Sequence, residues 1–354
     1  MNVLTGFSPI ARALIVTAAV AIVVMFLQAA ASIFAPMLLA AFIAVIATPP
    51  LRWMRRKGTP KWVALALIVF VLLDIGSIFA LLTTGAPEEF RHSLPSYQER
   101  LVLLNEQFGH WIAGVGMADS SESAPKIFDP TLATGLARIA LSGMGGIFGT
   151  GLLILLAVTF MLLEAPSLKT KLKVAFQLGA ESEARLGRVF DAVNRYMAIK
   201  TLTSLATALC ICIWLRILGI DFAVLWAILA FLLNFVPFVG ALLMMIPAVL
   251  IALLQTDLWT ALLVALGYLT VNTVIGSILE PRIMGRGLGI STLAVFLSLL
   301  FWGWVLGTVG VFLSVPLTIA LMIALEASPQ TRPIAILLGP EVSPEAERTE
   351  PSKE

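Results

Sequence analysis

Two apolar runs toward the C-terminal end are too long to cross a bilayer once. Residues 222–254 and 290–325, wound as straight helices, would each reach about 50 Å, against a hydrocarbon core of about 30 Å. Each run carries its own interruptions. The first holds Asn234-Phe235-Val236-Pro237-Phe238-Val239-Gly240 and then Pro247; the second holds Gly303, Gly307 and Gly310 and then Pro316. Proline removes a helical donor and crowds the preceding turn, and glycine weakens a helix. Each run is therefore expected to fold into two half-helices or one sharply bent helix.

The rest of the chain makes lipid the natural solvent for these runs. Apolar residues are 59% of the sequence and charged residues 12%, against roughly 45–50% and about 25% in a soluble domain. So few polar groups cannot coat a water-soluble globule of this size. Further runs of spanning length lie at residues 10–28, 32–49, 62–84, 144–163, 197–219 and 258–279. The first exceeds the ~7–15 apolar residues of a secretory signal, and more spans follow at once, so it reads as a membrane helix. The fold class expected is all-α: a polytopic membrane protein of about eight membrane segments, two of them broken or re-entrant helical hairpins, with amphipathic helices on both sides.

Cations orient the chain. Arg52, Arg55, Arg56, Lys57 and Lys61 crowd one short loop, and Lys169, Lys171, Lys173, Arg185, Arg188, Arg195 and Lys200 crowd another. Both belong in the cytoplasm by the positive-inside rule, which also puts the N- and C-termini inside. On this topology the first long run enters from outside and the second from inside, as in an inverted repeat. The similar segments 246–252 and 315–320 close the two runs. Secondary transporters often place broken helices at matching positions of inverted halves, with the substrate between them.

Four regions follow. Residues 1–84 form an N-terminal three-helix membrane segment. Residues 85–143 form an extracytoplasmic amphipathic segment, in which Phe90, Leu94, Tyr97, Leu101, Leu104, Phe108 and Trp111 draw an apolar seam suited to a neighbouring helix or subunit. Residues 144–326 are the membrane core, with a cytoplasmic amphipathic helix at 166–196 and the inverted-repeat candidate at 197–326. Residues 327–354, rich in Pro and Glu, form a mobile cytoplasmic tail. Within the cytoplasmic helix, Leu186, Val189, Phe190, Val193 and Tyr196 share one face, which places it at the lipid headgroups, with Glu181/Arg185 and Asp191/Arg195 as i,i+4 pairs.

No enzymatic constellation is present. The sequence has no H-E-x-x-H, no G-x-S-x-G and no P-loop, and its histidines, His92 and His110, sit in the outer segment. Transport by this chain is expected to be secondary or driven by a partner, without cofactor or metal. Cys210 and Cys212, inside an apolar run, read as packing residues rather than a disulfide or thiolate site.

Four residues are candidates for gating or ion coupling. Asp74 lies thirteen residues into the third span, where a carboxylate facing lipid costs at least ~2.5 kcal/mol; it is expected to face protein or a wet cavity. Asn272 and Glu280-Pro281-Arg282 close another span ahead of Gly285, Gly287 and Gly289. They read either as a gate or anion-holding loop, or as a Pro-terminated helix whose Glu280 and Arg282 pair at the membrane surface. Asn234, Pro237, Gly240, Pro247, Gly303, Gly307, Gly310 and Pro316 are the candidates for the transport pathway and its hinges. The pairs Gly145/Gly149 and Gly303/Gly307 have the G-x-x-x-G spacing of close helix packing.

The combination of Asn194-Arg195-Tyr196, Asn234-Phe235-Val236-Pro237 with Gly240 and Pro247, Glu280-Pro281-Arg282-Ile283-Met284-Gly285, and Phe301-Trp302-Gly303-Trp304 through Pro316 resembles the autoinducer-2 exporter family of bacterial permease-like proteins. The resemblance covers residues 10–325. It implies a bacterial cytoplasmic-membrane protein that forms homo-oligomers in the lipid bilayer and exports a small solute, autoinducer-2 in the family's name and sodium or protons in other relatives. No nucleic-acid partner is implied. Two departures stand out: Phe238 replaces a residue that is often polar, and Ser291-Thr292 stands where a proline is common. The competing readings are a sodium- or lithium/proton antiporter using Asp74 or Glu280, and a non-transporting oligomeric scaffold acting through the outer segment.

Overall fold

The computed structural model describes residues 8–77, 99, 102, 103, 106, 110, 147–175, 177, 179–284 and 289–340. Every regular element among them is helical: α1 (Pro9–Ala29), α2 (Ala31–Arg56), α3 (61–77), α4 (Ile147–Ala175), α5 (Ala180–Ile217), α6 (Ala223–Leu233), α7 (Val239–Gln255), α8 (Leu258–Met284), α9 (Thr292–Leu306), α10 (Thr308–Leu325) and α11 (Arg332–Leu338). Residues 272–279 of α8 are π-helical. Most of the outer segment, including its apolar seam, lies outside the described residues, as do Gly145, Gly285, Gly287 and the tail beyond 340.

The large apolar side chains left exposed are those that lipid would cover. On α1 they include Leu14, Val20, Ile22, Val23 and Phe26, and on α5 Leu202, Leu205, Leu209, Ile213 and Ile217. The α5 stripe advances by three and four residues, so one side of the helix is apolar and open along its second half. Four helices among the described residues are long and apolar enough to cross a membrane: α2, α5, α8 and α10.

The chain divides into two compact units. The first contains α1, α2, residues 156–199, and everything from residue 284 onward. Here α9 and α10 form a tight hairpin on which α1 and α2 pack. Its core joins Tyr196 and Met197 to Val315, Ile319 and Ile323, with Phe42, Val45 and Ile46 of α2 against them. Val189, Ala192 and Val193 complete that core, so the amphipathic face expected to rest on headgroups is covered by protein. The expected single cytoplasmic helix at 166–196 is also corrected: α4 runs on to Ala175, and a separate helix starts at Ala180 and continues unbroken to Ile217. Lys173 of α4 pairs with Glu183 of α5 at 2.6 Å across that junction, and the expected Glu181/Arg185 pair forms at 2.6 Å.

The second unit contains residues 58–155 and 200–283. Its α6–α7 hairpin and α8 pack with the second half of α5 around Ile211, Leu215, Ala230, Met244, Ala248, Ala252, Val264 and Tyr268. Gln255 closes the end of this unit by accepting from the Asp221 amide and donating to the Gly219 carbonyl, each at 2.9 Å. Trp214 lies against Gly267, where a Cβ would fall 2.0 Å from the indole nitrogen, and its Nε1 donates to the Leu263 carbonyl at 3.1 Å. Cys210 is exposed, on the open side of α5 rather than in the packing expected of it.

Candidate functional site

Each long run breaks once, the first across a segment that holds Pro237 and the second at Gly307. In the first, α6 ends at Leu233 and α7 begins at Val239, with the chain turning through Asn234–Phe238. The turn is tight: Phe238 has φ +62°, and a Cβ on Gly240 would lie 1.9 Å from the Leu233 carbonyl oxygen. In the second run the break falls at Gly307 alone, with φ +65° and ψ −147°, a region open essentially to glycine. A Cβ on Gly310 would lie 1.8 Å from the Trp302 carbonyl oxygen. The two hairpins thus share a device: a glycine in the first turn of the second helix, pressed on a carbonyl near the end of the first.

Pro247 and Pro316, expected to add further breaks, sit inside α7 and α10 without ending them. Pro316 is buried, and Gly303 lies within α9 facing Val311. Trp302 ties the second hairpin together by donating from Nε1 to the Thr318 hydroxyl at 3.0 Å. Ser291 caps α9 by accepting from the Ala294 amide at 3.1 Å. At 11 residues, α6 would extend only about 16 Å, half the hydrocarbon core. That length suits a re-entrant arm and not a full span.

The most polar place inside the second unit lies on α5. Lys200, Thr203, Ser204 and Thr207 recur at the spacing of one helix face, and all four are buried. Lys200 Nζ meets Glu280 Oε1 at 2.9 Å and Oε2 at 3.0 Å. The Thr203 hydroxyl lies 3.2 Å from Glu280 Oε2 and 3.1 Å from the Lys200 carbonyl, and its single proton serves one of them at a time. One turn on, Asn234 Nδ2 donates to the Ser204 hydroxyl at 2.9 Å. Asn234 is the first residue of the α6–α7 break, so the seam runs from the ion pair to the broken helix. Below Thr207 the same face turns apolar at Ala208, Ile211 and Leu215.

Glu280 reaches Lys200 from the end of the π-helical stretch. A π segment steps its hydrogen bonds by five residues instead of four, and such segments favour functional sites. Asn272 begins it, with its Oδ1 lying over Gly276, 3.2 Å from where a Cβ would stand. The reading of these residues as a Pro-terminated helix is corrected: α8 runs on through Pro281 to Met284, with Glu280–Met284 as its last, α-helical stretch. Glu280 is bound to Lys200 and not to Arg282, which is exposed. Asp74 is exposed on α3.

Sequence reasoning placed Glu280 and Asn234 among the candidates but missed Lys200, Thr203, Ser204 and Thr207. Lys200 counted as a cytoplasmic cation like its neighbours. The available signal was the 200, 203, 204, 207 spacing, which puts a lysine and three hydroxyls on one face of an otherwise apolar helix. Pro237 is half-buried in the break, and Phe238 beside it is exposed. Among the described residues no cluster of His, Cys, Asp and Glu could hold a metal ion.

An all-helical chain with apolar helix faces open to lipid, two glycine-braced broken hairpins and a buried ion pair at a break has the build of an integral membrane transporter. The sequence profile described as AI-2E family transporter matches residues 14–330, and the chain belongs to that family. It is 39% identical to a Haemophilus influenzae protein whose name assigns it to transport without naming a cargo, over 93% of this chain and 96% of that one. It is also 39% identical to the AI-2 transport protein TqsA of Escherichia coli, over 88% of this chain and 90% of the relative. A more distant relative is the sodium-lithium/proton antiporter of Halobacillus andaensis, 24% identical over 82% of this chain and 89% of the relative. The role of the chain is transport rather than catalysis.

Proposed function

We propose that this transporter exports a small polar solute of the autoinducer-2 class, with the seam on α5 as part of its path. The observation that carries the reading is the Lys200–Glu280 pair continued by Thr203, Ser204 and Asn234 up to a broken helix. Hydroxyl and amide groups buried beside a charge pair match a cargo that is itself rich in hydroxyls, because each displaced internal hydrogen bond can be replaced by one to the solute. The 39% identity to the AI-2 transport protein of Escherichia coli supports the same class. Inverted vesicles containing the protein should accumulate autoinducer-2, and vesicles carrying Glu280→Gln should not. Equal accumulation by both removes the seam from the path.

A second reading, sodium- or lithium/proton exchange, rests on the same carboxylate and on the antiporter relative. Proton release from the vesicles on addition of lithium, lost in Glu280→Gln, distinguishes it from solute export.

The proposal extends to setting. The chain works in the bacterial inner membrane with both termini cytoplasmic, as a homo-oligomer in the bilayer. It is divided into the membrane segment 1–84, the outer segment 85–143, the core 144–326 and the tail 327–354. Cysteine introduced at Ser120 should be labelled from outside intact cells, and labelling only after lysis reverses the orientation.

A further inference from the structure

The first unit holds a cavity of about 590 Å³ away from the polar seam, and its walls carry five charged side chains: Glu181, Arg185 and Arg188 of α5, Glu326 at the end of α10, and Arg332 at the start of α11. Met322, Ala335, Ile336 and Pro340 add apolar lining, and Gly289, with φ +70°, lies among the lining residues. Such a volume suits a molecule the size of a phosphorylated sugar, a mononucleotide or a lipid headgroup.

The charges on these walls are unequally committed. Glu181 and Arg185 satisfy each other at 2.6 Å. Among the described residues Arg188 and Arg332 have no ion-pair partner, and Arg188 lies three residues from Arg185 on the same side of α5. Two guanidinium forks from separate helices converge on one cavity, with one carboxylate, Glu326, beside them. Guanidinium groups match phosphate oxygens in pairs of parallel hydrogen bonds, which an ammonium does not. The neighbouring carboxylate suits a hydroxyl or ammonium group on the same ligand.

We infer that this cavity binds a phosphate ester that also carries hydroxyl or amine groups, gripped by Arg188 and Arg332 and oriented by Glu326. The ligand chemistry is shared by two sources, the headgroup of a phospholipid and a soluble phosphorylated metabolite. Nothing in the transport reading requires this site, and none of its residues belongs to the seam.

Binding is tested on the full-length protein purified in neutral detergent, with glycerol 3-phosphate as the soluble probe and nanodiscs of phosphatidylglycerol or of phosphatidylcholine alone as the lipid probes. Calorimetric titration and the shift in melting temperature read the soluble arm; stability in the two nanodiscs reads the lipid arm. Binding of glycerol 3-phosphate that weakens by about tenfold or more in Arg188→Gln/Arg332→Gln supports the site and assigns a soluble ligand. Stabilisation by phosphatidylglycerol alone, lost in the same variant, supports it and assigns the lipid. Arg188→Lys should fall between wild type and the double variant, because it keeps the charge and loses the fork. No response to either probe in the wild type, or an equal response in wild type and a double variant that elutes at the same size, overturns the inference.

Discussion

Lys200 and Glu280 stand 80 residues apart in sequence and 2.9 Å apart in space, with side chains only 9% and 13% exposed. Removing one partner of such a pair strands the other charge, whereas removing both leaves nothing stranded. Lys200→Met and Glu280→Gln should each destabilise the protein by about 3–5 kcal/mol. The double replacement Lys200→Met/Glu280→Gln should be more stable than either single one. Melting curves in detergent for the four proteins make the comparison, and additive losses would mean that the pair is not coupled.

The hydrogen bond from Asn234 to Ser204 ties the α6–α7 break to α5. Asn234→Leu leaves the Ser204 hydroxyl buried without this partner and should cost about 1–3 kcal/mol. Asn234→Leu/Ser204→Ala should recover part of that loss. Solute flux should fall in both proteins, which separates the role of the amide in transport from its role in folding.

Backbone geometry ranks the glycines. Gly240→Ala and Gly310→Ala drive a methyl group into a carbonyl and should abolish monodisperse protein on fluorescence-detected size exclusion. Gly307→Ala forces an L-residue into a glycine conformation at about 1–3 kcal/mol and should lower the melting temperature while leaving the protein folded. Gly303→Ala meets only the end of the Val311 side chain, at 2.9 Å, which can rotate away. It should be the mildest of the four.

Asp74 and Glu280 are opposites in environment, one exposed and one bound to a lysine. Asp74→Asn should retain flux of solute or protons, and Glu280→Gln should lose it. Loss of exchange in Asp74→Asn with full activity in Glu280→Gln would move the coupling group to α3.

Pattern and length exposed the fold because lipid leaves few alternatives: helices 31–56 and 308–325 match apolar runs seen in sequence, and the over-long runs did split into paired helices. Position along the runs was less legible. The turns fell within two of the named interruptions, at Asn234–Phe238 and at Gly307, whereas Pro247 and Pro316 stayed inside helices, as membrane helices keep proline when neighbouring groups satisfy the backbone. The site was half legible. A carboxylate closing a span can be flagged at Glu280, but its partner lies in a distant helix at the end of a run of cytoplasmic cations, and the π stretch that aims it has no sequence signature comparable to a cap. Tertiary pairing, not local propensity, chose Lys200 over Arg282.

The wide winding of residues 272–279 stores slack in a helix that would otherwise be uniform. Winding the same residues at the ordinary pitch instead would swing everything downstream by about 100° around the axis. The carboxylate would then point away from its ammonium. The chain's arithmetic in this stretch, and not only its chemistry, is what keeps the two charges face to face.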